Sequence, residues 1–500
     1  METWGVGVLT LFLCLALAAL LLLRRPPRSL PPGPPAIPIL GNLMWLTLPV
    51  ADFESVLGDL WSKYGHIVTL HLGSIPVVMV GDRDLAHEML VQHGAVFAGR
   101  PSPIPALRLP GFSQCSINTA GYGPLWRLLR RNLATEMLNP SRVRQCADAR
   151  EWVLCVLLDK LRLTAASGDG VVIVKETFQF AMFCLLVFLC FGEKLEEAAV
   201  REIEAAQKDI LLFIRKLNIF AIAPKLGRYL FRGRWNRLLQ FRQRQREIFL
   251  PLIRSRRQRK ESKVPGKNSF RFCYLDSLLD LEIPEEEGRK LNDDEIITLC
   301  AEFLDAGTDT TSTALEWIMA NVVKHPTVQE KLAEEVGADI KEEDLQKKPY
   351  LKAVVLEGLR RHPPAHFVLP HAVTEEISVR GYTIPKNASI NFAVAKMNLD
   401  GEKWQDPLEF RPERFLPGGE GEGVDMTGSK EIWMMPFGVG RRICPGMGLA
   451  LLHLEYFVAN LVGEFRWEAA DGGEVDLSAK TEFTVVMRTP LRARISSRRE

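Results

Sequence analysis

The chain offers no pair of cysteines in C-x-x-C spacing. Its nine cysteines, at 14, 115, 146, 155, 184, 190, 273, 300 and 444, are odd in number and scattered. Such spacing offers no zinc site and no disulfide framework, and it fits a reducing compartment. No G-x-G-x-x-G run occurs, so nothing marks a dinucleotide site within the chain. Neither charge is in surplus. The 63 basic and 61 acidic side chains leave a net charge of +2, so nothing global points to nucleic acid. Internal repeats are absent as well. What remains is an ordinary globular composition, 47% apolar and 25% charged over 500 residues, enough for a large core.

The first departure from the ordinary is Val6 to Leu23, eighteen residues without a charge. As a helix it is about 27 Å long, enough to cross a bilayer core. Glu2 precedes it, and Arg24, Arg25 and Arg28 follow. Those flanks favour an uncleaved anchor over a signal peptide and put the remaining chain on the cytosolic side. Pro31-Pro-Gly-Pro-Pro35 cannot be helix or sheet interior and reads as a stiff hinge. The expected organisation is an anchor over 1–24, a hinge over 25–36 and one large domain over 37–500.

Within that domain, one stretch concentrates unusual chemistry: Phe437-Gly-Val-Gly-Arg-Arg-Ile-Cys-Pro-Gly446. Apolar residues recur at helical spacing from Met447, so Cys444 is placed just before a helix N-terminus, where a thiolate is favoured. Glycines let a backbone turn sharply or approach a flat group closely. Arg442 could pair with an anionic substituent of that group. A buried structural cysteine in a glycine turn is the bland alternative. The run resembles the haem-binding signature of the cytochromes P-450, F-x-x-G-x-R-x-C-x-G, at Phe437, Gly440, Arg442, Cys444 and Gly446.

Further segments carry the same resemblance, in the same order. Trp126 and Arg130 are four apart on an expected helix and match W-x-x-x-R, whose side chains bind a haem propionate in the family. Arg127 and Arg131 then fall on a basic face that meets an acidic electron donor. A helix over roughly Asp294 to Lys324, capped by Asn292 or Asp293, carries Ala306-Gly-Thr-Asp-Thr-Thr311. Gly307 is expected to leave space beside that helix, and Thr310 to turn its hydroxyl onto a carbonyl one turn back. The resemblance makes Asp309 and Thr310 the acid–alcohol pair that relays protons during oxygen activation. Glu357 and Arg360 match E-x-x-R, joined in the family by an arginine of Pro412-Glu-Arg-Phe415, here Arg414. This triad is implied to be buried and to lock the cysteine loop. His371 is implied to contact a propionate, with an ordinary half-buried histidine nearly as good a reading. Phe303, Ala306, Phe367, Val368 and Phe483 are implied to line a largely apolar substrate pocket.

Other stretches read more plainly. Residues 67–80 and 481–487 are expected hairpins, the second with Phe483 near its tip, and 377–395 short β pieces. Residues 98–121 are expected to be a long loop that covers the substrate in relatives. Residues 417–430 are Gly-rich, acidic and expected to be exposed. Residues 228–260 hold twelve Arg or Lys and one acid, Glu247. They fit a solvated helix face, lipid contact or a nucleic-acid patch, in that order.

Taken together, the resemblance implies a mainly α fold with a small β-rich region, the cytochrome P-450 fold, preceded by a transmembrane helix. Among microsomal plant members, the chain is most similar to family 89, subfamily A. The implied function is insertion of one atom of O2 into a small, largely apolar molecule. The implied cofactor is haem b, held by Cys444. NADPH–cytochrome P-450 reductase is the implied electron source, and the endoplasmic reticulum membrane the location. Two alternatives stay open: a haem-thiolate isomerase or dehydratase that needs neither O2 nor reductase, and a non-catalytic haem-binding membrane sensor.

Overall fold

The computed structural model describes residues 30–37, 41–73, 75–101, 115–167, 170–214, 217, 220, 227, 229–262, 272–338 and 340–498. The expected anchor, Val6 to Leu23, lies outside the described residues, as does most of the 98–121 loop.

Helices dominate. The longer ones are α1 (Val50–Tyr64), α2 (Pro124–Glu136), α3 (Ala147–Ala166), α4 (Val174–Phe191), α5 (Glu197–Ile214), α6 (Arg232–Ser262), α7 (Tyr274–Asp280), α8 (Asp293–Lys324), α9 (Pro326–Val336), α10 (Pro349–Arg361) and α11 (Met447–Glu464). The strands are short: β1 (Ile67–Leu72), β2 (Ile75–Val80), β3 (Val171–Ile173), β4 (His371–Ala372), β5 (Ser389–Phe392), β6 (Phe465–Ala469), β7 (Ala479–Thr481), β8 (Val485–Met487) and β9 (Arg492–Ser497). A four-stranded sheet runs β1-β2-β5-β4 and a three-stranded one β6-β9-β3.

The main core centres on α8. Its C-terminal half, Thr311 to Val323, is buried throughout, as a helix packed on all sides must be. It begins in a reciprocal cap: the Asn292 side chain accepts from the Glu295 N–H, and Glu295 accepts from the Asn292 N–H. Helix α4 packs along it. Among the described residues α4 is the one helix long and apolar enough to cross a bilayer, yet 72% of it is buried in this core.

The 67–80 hairpin forms with Ile67 opposite Val80. The C-terminal hairpin is shorter than expected: Ala479–Thr481 pairs with Val485–Met487, and residues 482–484 make the turn. Residues 31–35 form no regular element, but they do not stand off the body. The Thr69 N–H donates to Pro32 C=O at 2.9 Å, and a Cβ on Gly33 would lie 2.0 Å from the Thr69 carbonyl. The C-terminal part of the expected hinge is therefore docked along β1.

Two other expectations are refined. The basic stretch is largely ion-paired, because α6 lies against acidic ends of other elements. Arg256 meets Asp276 at 2.6 Å and Arg257 meets Asp293 at 2.8 Å. Arg259 meets Glu193 at 2.7 Å, while Arg246 and Lys260 pair with Asp294 and Asp280. The 417–430 segment is only partly exposed: Gly421, Met426 and Gly428 are buried.

Candidate active site

The cysteine loop follows the local chemistry of its glycines. Gly438 and Gly440 take positive φ, +67° and +71°, where a side chain is strained. Gly440 is also sterically closed: a Cβ there would lie 2.0 Å from the Leu90 carbonyl oxygen. The Cys444 N–H donates to Phe437 C=O at 2.9 Å, which closes the loop, and α11 starts directly after Gly446. A Cβ on Gly446 would sit 3.9 Å from the Cys444 sulfur. Burial pushes the Cys444 thiol up, while the Gly446 backbone N–H and Arg130 pull it down. Arg130 also donates to Ile443 C=O at 2.6 Å, next to the sulfur-bearing residue.

Arg442 gives three bonds to backbone carbonyls: Ala98 at 2.8 Å, Ile117 at 3.2 Å and Ala120 at 2.7 Å. Its guanidinium lies 4.4 Å over the Trp126 ring. Trp126 is buried, and its indole N–H donates to Ile117 C=O at 3.2 Å. The tryptophan thus supports Arg442 and the loop, and its N–H is not aimed at an anion here. His371 is buried, with Nδ1 2.6 Å from Phe97 C=O.

Sequence reasoning missed one member of this group. Arg100 donates to Asn118 C=O at 2.8 Å and to Leu369 and Pro370 C=O at 2.8 and 2.9 Å. Gly99, bridged to Ala372, brings it beside His371. Burial lowers Arg100 to about 10 and Arg442 to about 9, and the repulsion of Arg100 and Arg130 adds to the fall at Arg442. His371 is lowered to about 3 by burial and by Arg100 and Arg442. Three half-buried guanidiniums pressed together are an anion site by construction. They fit the two propionates of a haem, with the thiol of Cys444 as the axial donor. Among the described residues no cluster of His, Cys, Asp or Glu could hold a metal ion unaided, which agrees with a group bound through one protein ligand.

The other wall is α8. Its middle opens out: Ala306 is exposed and Asp309 and Thr310 half-buried, next to a C-terminal half that is fully buried. Thr310 Oγ1 donates back to Ala306 C=O at 2.7 Å, as expected. Gly307 does not face this opening. A Cβ on it would lie 2.7 Å from Leu186 Cδ1, so the space beside Gly307 is filled by α4. The glycine serves close helix–helix contact.

Asp309 points towards α4 and the last hairpin. Gln179 Nε2 donates to it at 3.0 Å and the Thr484 hydroxyl at 3.3 Å, and Thr484 also meets the Thr313 hydroxyl at 2.9 Å. Burial lifts the Asp309 carboxyl, against the Thr484 bond. Gln179 was legible only as a lone amide in an apolar run.

The expected pocket residues divide. Phe483 sits in the hairpin turn, 46% exposed. Phe303 is half-buried, 5.0 Å from the Tyr274 ring. Phe367 packs its ring 5.7 Å from Phe53 of α1, in the N-terminal core, and Val368 packs on the core beneath the cysteine loop. Neighbouring residues of an extended segment face opposite ways, which separates these two.

The expected triad is present and has a fourth member. Arg360 grips Glu357 with two bonds, 2.6 and 2.8 Å, and Arg414 reaches it at 3.3 Å. Arg414 also pairs with Glu420, from the Gly-rich segment. Two acids then balance two arginines, where the triad alone would be left with one positive charge. Arg360 bonds Asn398 C=O, and the Asn398 side chain accepts from the Met435 N–H at 2.9 Å. The cluster thus reaches the backbone two residues before Phe437.

A mostly helical fold that sets one cysteine loop against a cation cradle and an acid–alcohol helix defines a haem-thiolate monooxygenase. A family model for Cytochrome P450 matches residues 31–496. The chain is 46% identical to Cytochrome P450 89A9 of Arabidopsis thaliana over 489 residues, covering 94% of each chain. It is 33% identical to Cytochrome P450 monooxygenase 76AD131 of Lophophora williamsii, over 93% of this chain and 92% of that one. A solved zebra fish cytochrome P450 structure with progesterone shares the fold: TM-score 0.73, 23% identity, 90% of this chain and 100% of that one. The chain belongs to the cytochrome P450 family, and the 46% identity supports its place in plant family 89.

Proposed function

We propose that the protein inserts one oxygen atom from O2 into a small, largely apolar molecule at the endoplasmic reticulum membrane, with electrons from NADPH delivered by a separate reductase. Haem b is the proposed cofactor, with Cys444 as its axial ligand. When bound, it supplies the redox and O2 chemistry. The observation that carries this reading is the pairing of an exposed Ala306–Thr310 stretch on an otherwise buried helix with a cysteine loop set in a cation cradle.

Each residue has a definite task. Arg100, Arg130 and Arg442 neutralise the propionates. Trp126 keeps Arg442 in place. Thr310 presents a hydroxyl at the opening. Asp309 keeps a carboxyl beside it, oriented by Gln179 and Thr484, and passes protons inward. Arg127, Arg131 and Arg441 are exposed on the cysteine side and suit an acidic reductase surface. The uncleaved N-terminal apolar run places the domain on the cytosolic face.

The deciding experiment is a carbon monoxide difference spectrum of the reduced protein in microsomes, followed by turnover with and without NADPH and reductase. A red-shifted Soret band and reductase-dependent product would support the proposal. A histidine-type band would remove the thiolate. Product without reductase would indicate an isomerase or dehydratase.

A further inference from the structure

Glu302 stands on α8 one turn before Ala306, on the same face. Its carboxylate accepts three hydrogen bonds from one short segment: the Ser116 hydroxyl at 2.8 Å, the Ile117 N–H at 2.8 Å and the Asn118 N–H at 2.7 Å. The Thr119 N–H closes the turn onto Ser116 Oγ at 3.3 Å. Two consecutive N–H groups converging on one carboxylate form a strong, directional clasp. Burial raises this carboxyl, and the three bonds and Arg100 oppose the rise.

The same segment turns its carbonyls the other way. Ile117 C=O takes bonds from Trp126 and Arg442, Asn118 C=O from Arg100, and Ala120 C=O from Arg442. Its N–H side is thus held by α8 and its C=O side by the cation cradle. Without the clasp, the carbonyls that aim Arg100 and Arg442 have no fixed base on this side.

We propose that Glu302 is a positioning residue that clamps segment 115–120 between α8 and the cradle, and thereby sets how firmly the cradle holds its dianionic cofactor. This rests on the haem-thiolate reading above. It also assigns the acid a structural partner: with three donors from the loop, Glu302 is not a counter-ion for a cationic substrate.

The test uses the full-length protein in membranes: wild type, Glu302→Ala, Glu302→Gln and Ser116→Ala. The first readout is amide hydrogen exchange in peptides covering 115–120. The second is the rate of haem transfer to excess apomyoglobin. In Glu302→Ala, exchange should speed up by about tenfold or more, the effect of losing a hydrogen bond to a charged group, and haem should leave faster. Glu302→Gln should fall between, since its amide nitrogen meets an N–H donor. Ser116→Ala should stay near wild type, because both backbone bonds survive.

Wild-type exchange and haem retention in Glu302→Ala would overturn the proposal. If that variant does not accumulate, wild-type exchange in Glu302→Gln would overturn it equally. Unchanged exchange with lost spin-state response to benzyltrimethylammonium would make Glu302 a substrate counter-ion and also refute the clasp. Exchange does not depend on the thiolate, so a wild type lacking the red-shifted band would sink the functional reading without deciding this one.

Discussion

Replacing Glu420 by Gln separates a four-member charge cluster from a three-member one. Glu357, Arg360 and Arg414 are all but inaccessible, with relative exposures of 0–1%, and Glu420 is about a quarter exposed, with a side-chain value of 23%. Glu357→Gln leaves two buried guanidiniums facing one remaining acid, a loss of about 3–5 kcal/mol. Glu420→Gln removes only the outer counter-charge. Arg414 keeps Glu357 and the Gln405 and Asp406 carbonyls, and water screens part of the loss. The expected cost is smaller, about 1–2 kcal/mol. For a domain of this size the entropy of unfolding is roughly 1 kcal/mol per degree, so the two variants should lose about 3–5 °C and 1–2 °C. The assay is the temperature at which half of the red-shifted carbon monoxide band is lost in microsomes. Because the cluster reaches Met435 through Asn398, the band should go with or before the helical signal. Glu420→Gln at wild-type temperature beside a destabilised Glu357→Gln would refute the neutral four-member cluster.

Other outcomes follow from the same geometry. Cys444→Ala should abolish the thiolate spectrum, read by the same difference method. Thr310→Ala should divert electrons to hydrogen peroxide, measured as NADPH consumed against product; full coupling would count against its role. Gly307→Ala should destabilise by about 1–3 kcal/mol through overpacking on Leu186, and Leu186→Ala in the same chain should recover part of it in a thermal-unfolding series. Asp305 is buried, accepts from Gln207 at 2.9 Å, and is raised well above the usual carboxylate range by burial. Its contribution is therefore full below the unfolded value and is lost as pH rises through the folded one. Asp305→Asn should match wild type in acid and equal or exceed it at neutral pH, measured by denaturation at several pH values.

The order of these effects was partly legible without coordinates. The cysteine loop, the acid–alcohol pair and E-x-x-R each lie within one loop or one helix, so their spacing alone conveys the geometry. The cap at Asn292, the back-bonded Thr310 and the 67–80 hairpin are local in the same sense. Composition and spacing likewise located the long helices, because apolar periodicity belongs to the element that carries it.

Only the tertiary structure decided the contacts that orient those groups. Gln179 meets Asp309 across 130 residues, and Ser116 meets Glu302 across 186. Glu420 looked like a solvated acid in a Gly-rich segment, and its pairing with Arg414 depends on how that segment folds back. The glycine of the α8 motif could face a ligand or a neighbouring helix, and Leu186 settles which. Phe367 and Val368 could not be told apart as pocket or core until the chain's direction was known. A single sequence records which side chains are present and how closely they follow one another. Which of two faces a side chain meets depends on a partner brought near by the folding of the whole chain, and no local spacing carries that information.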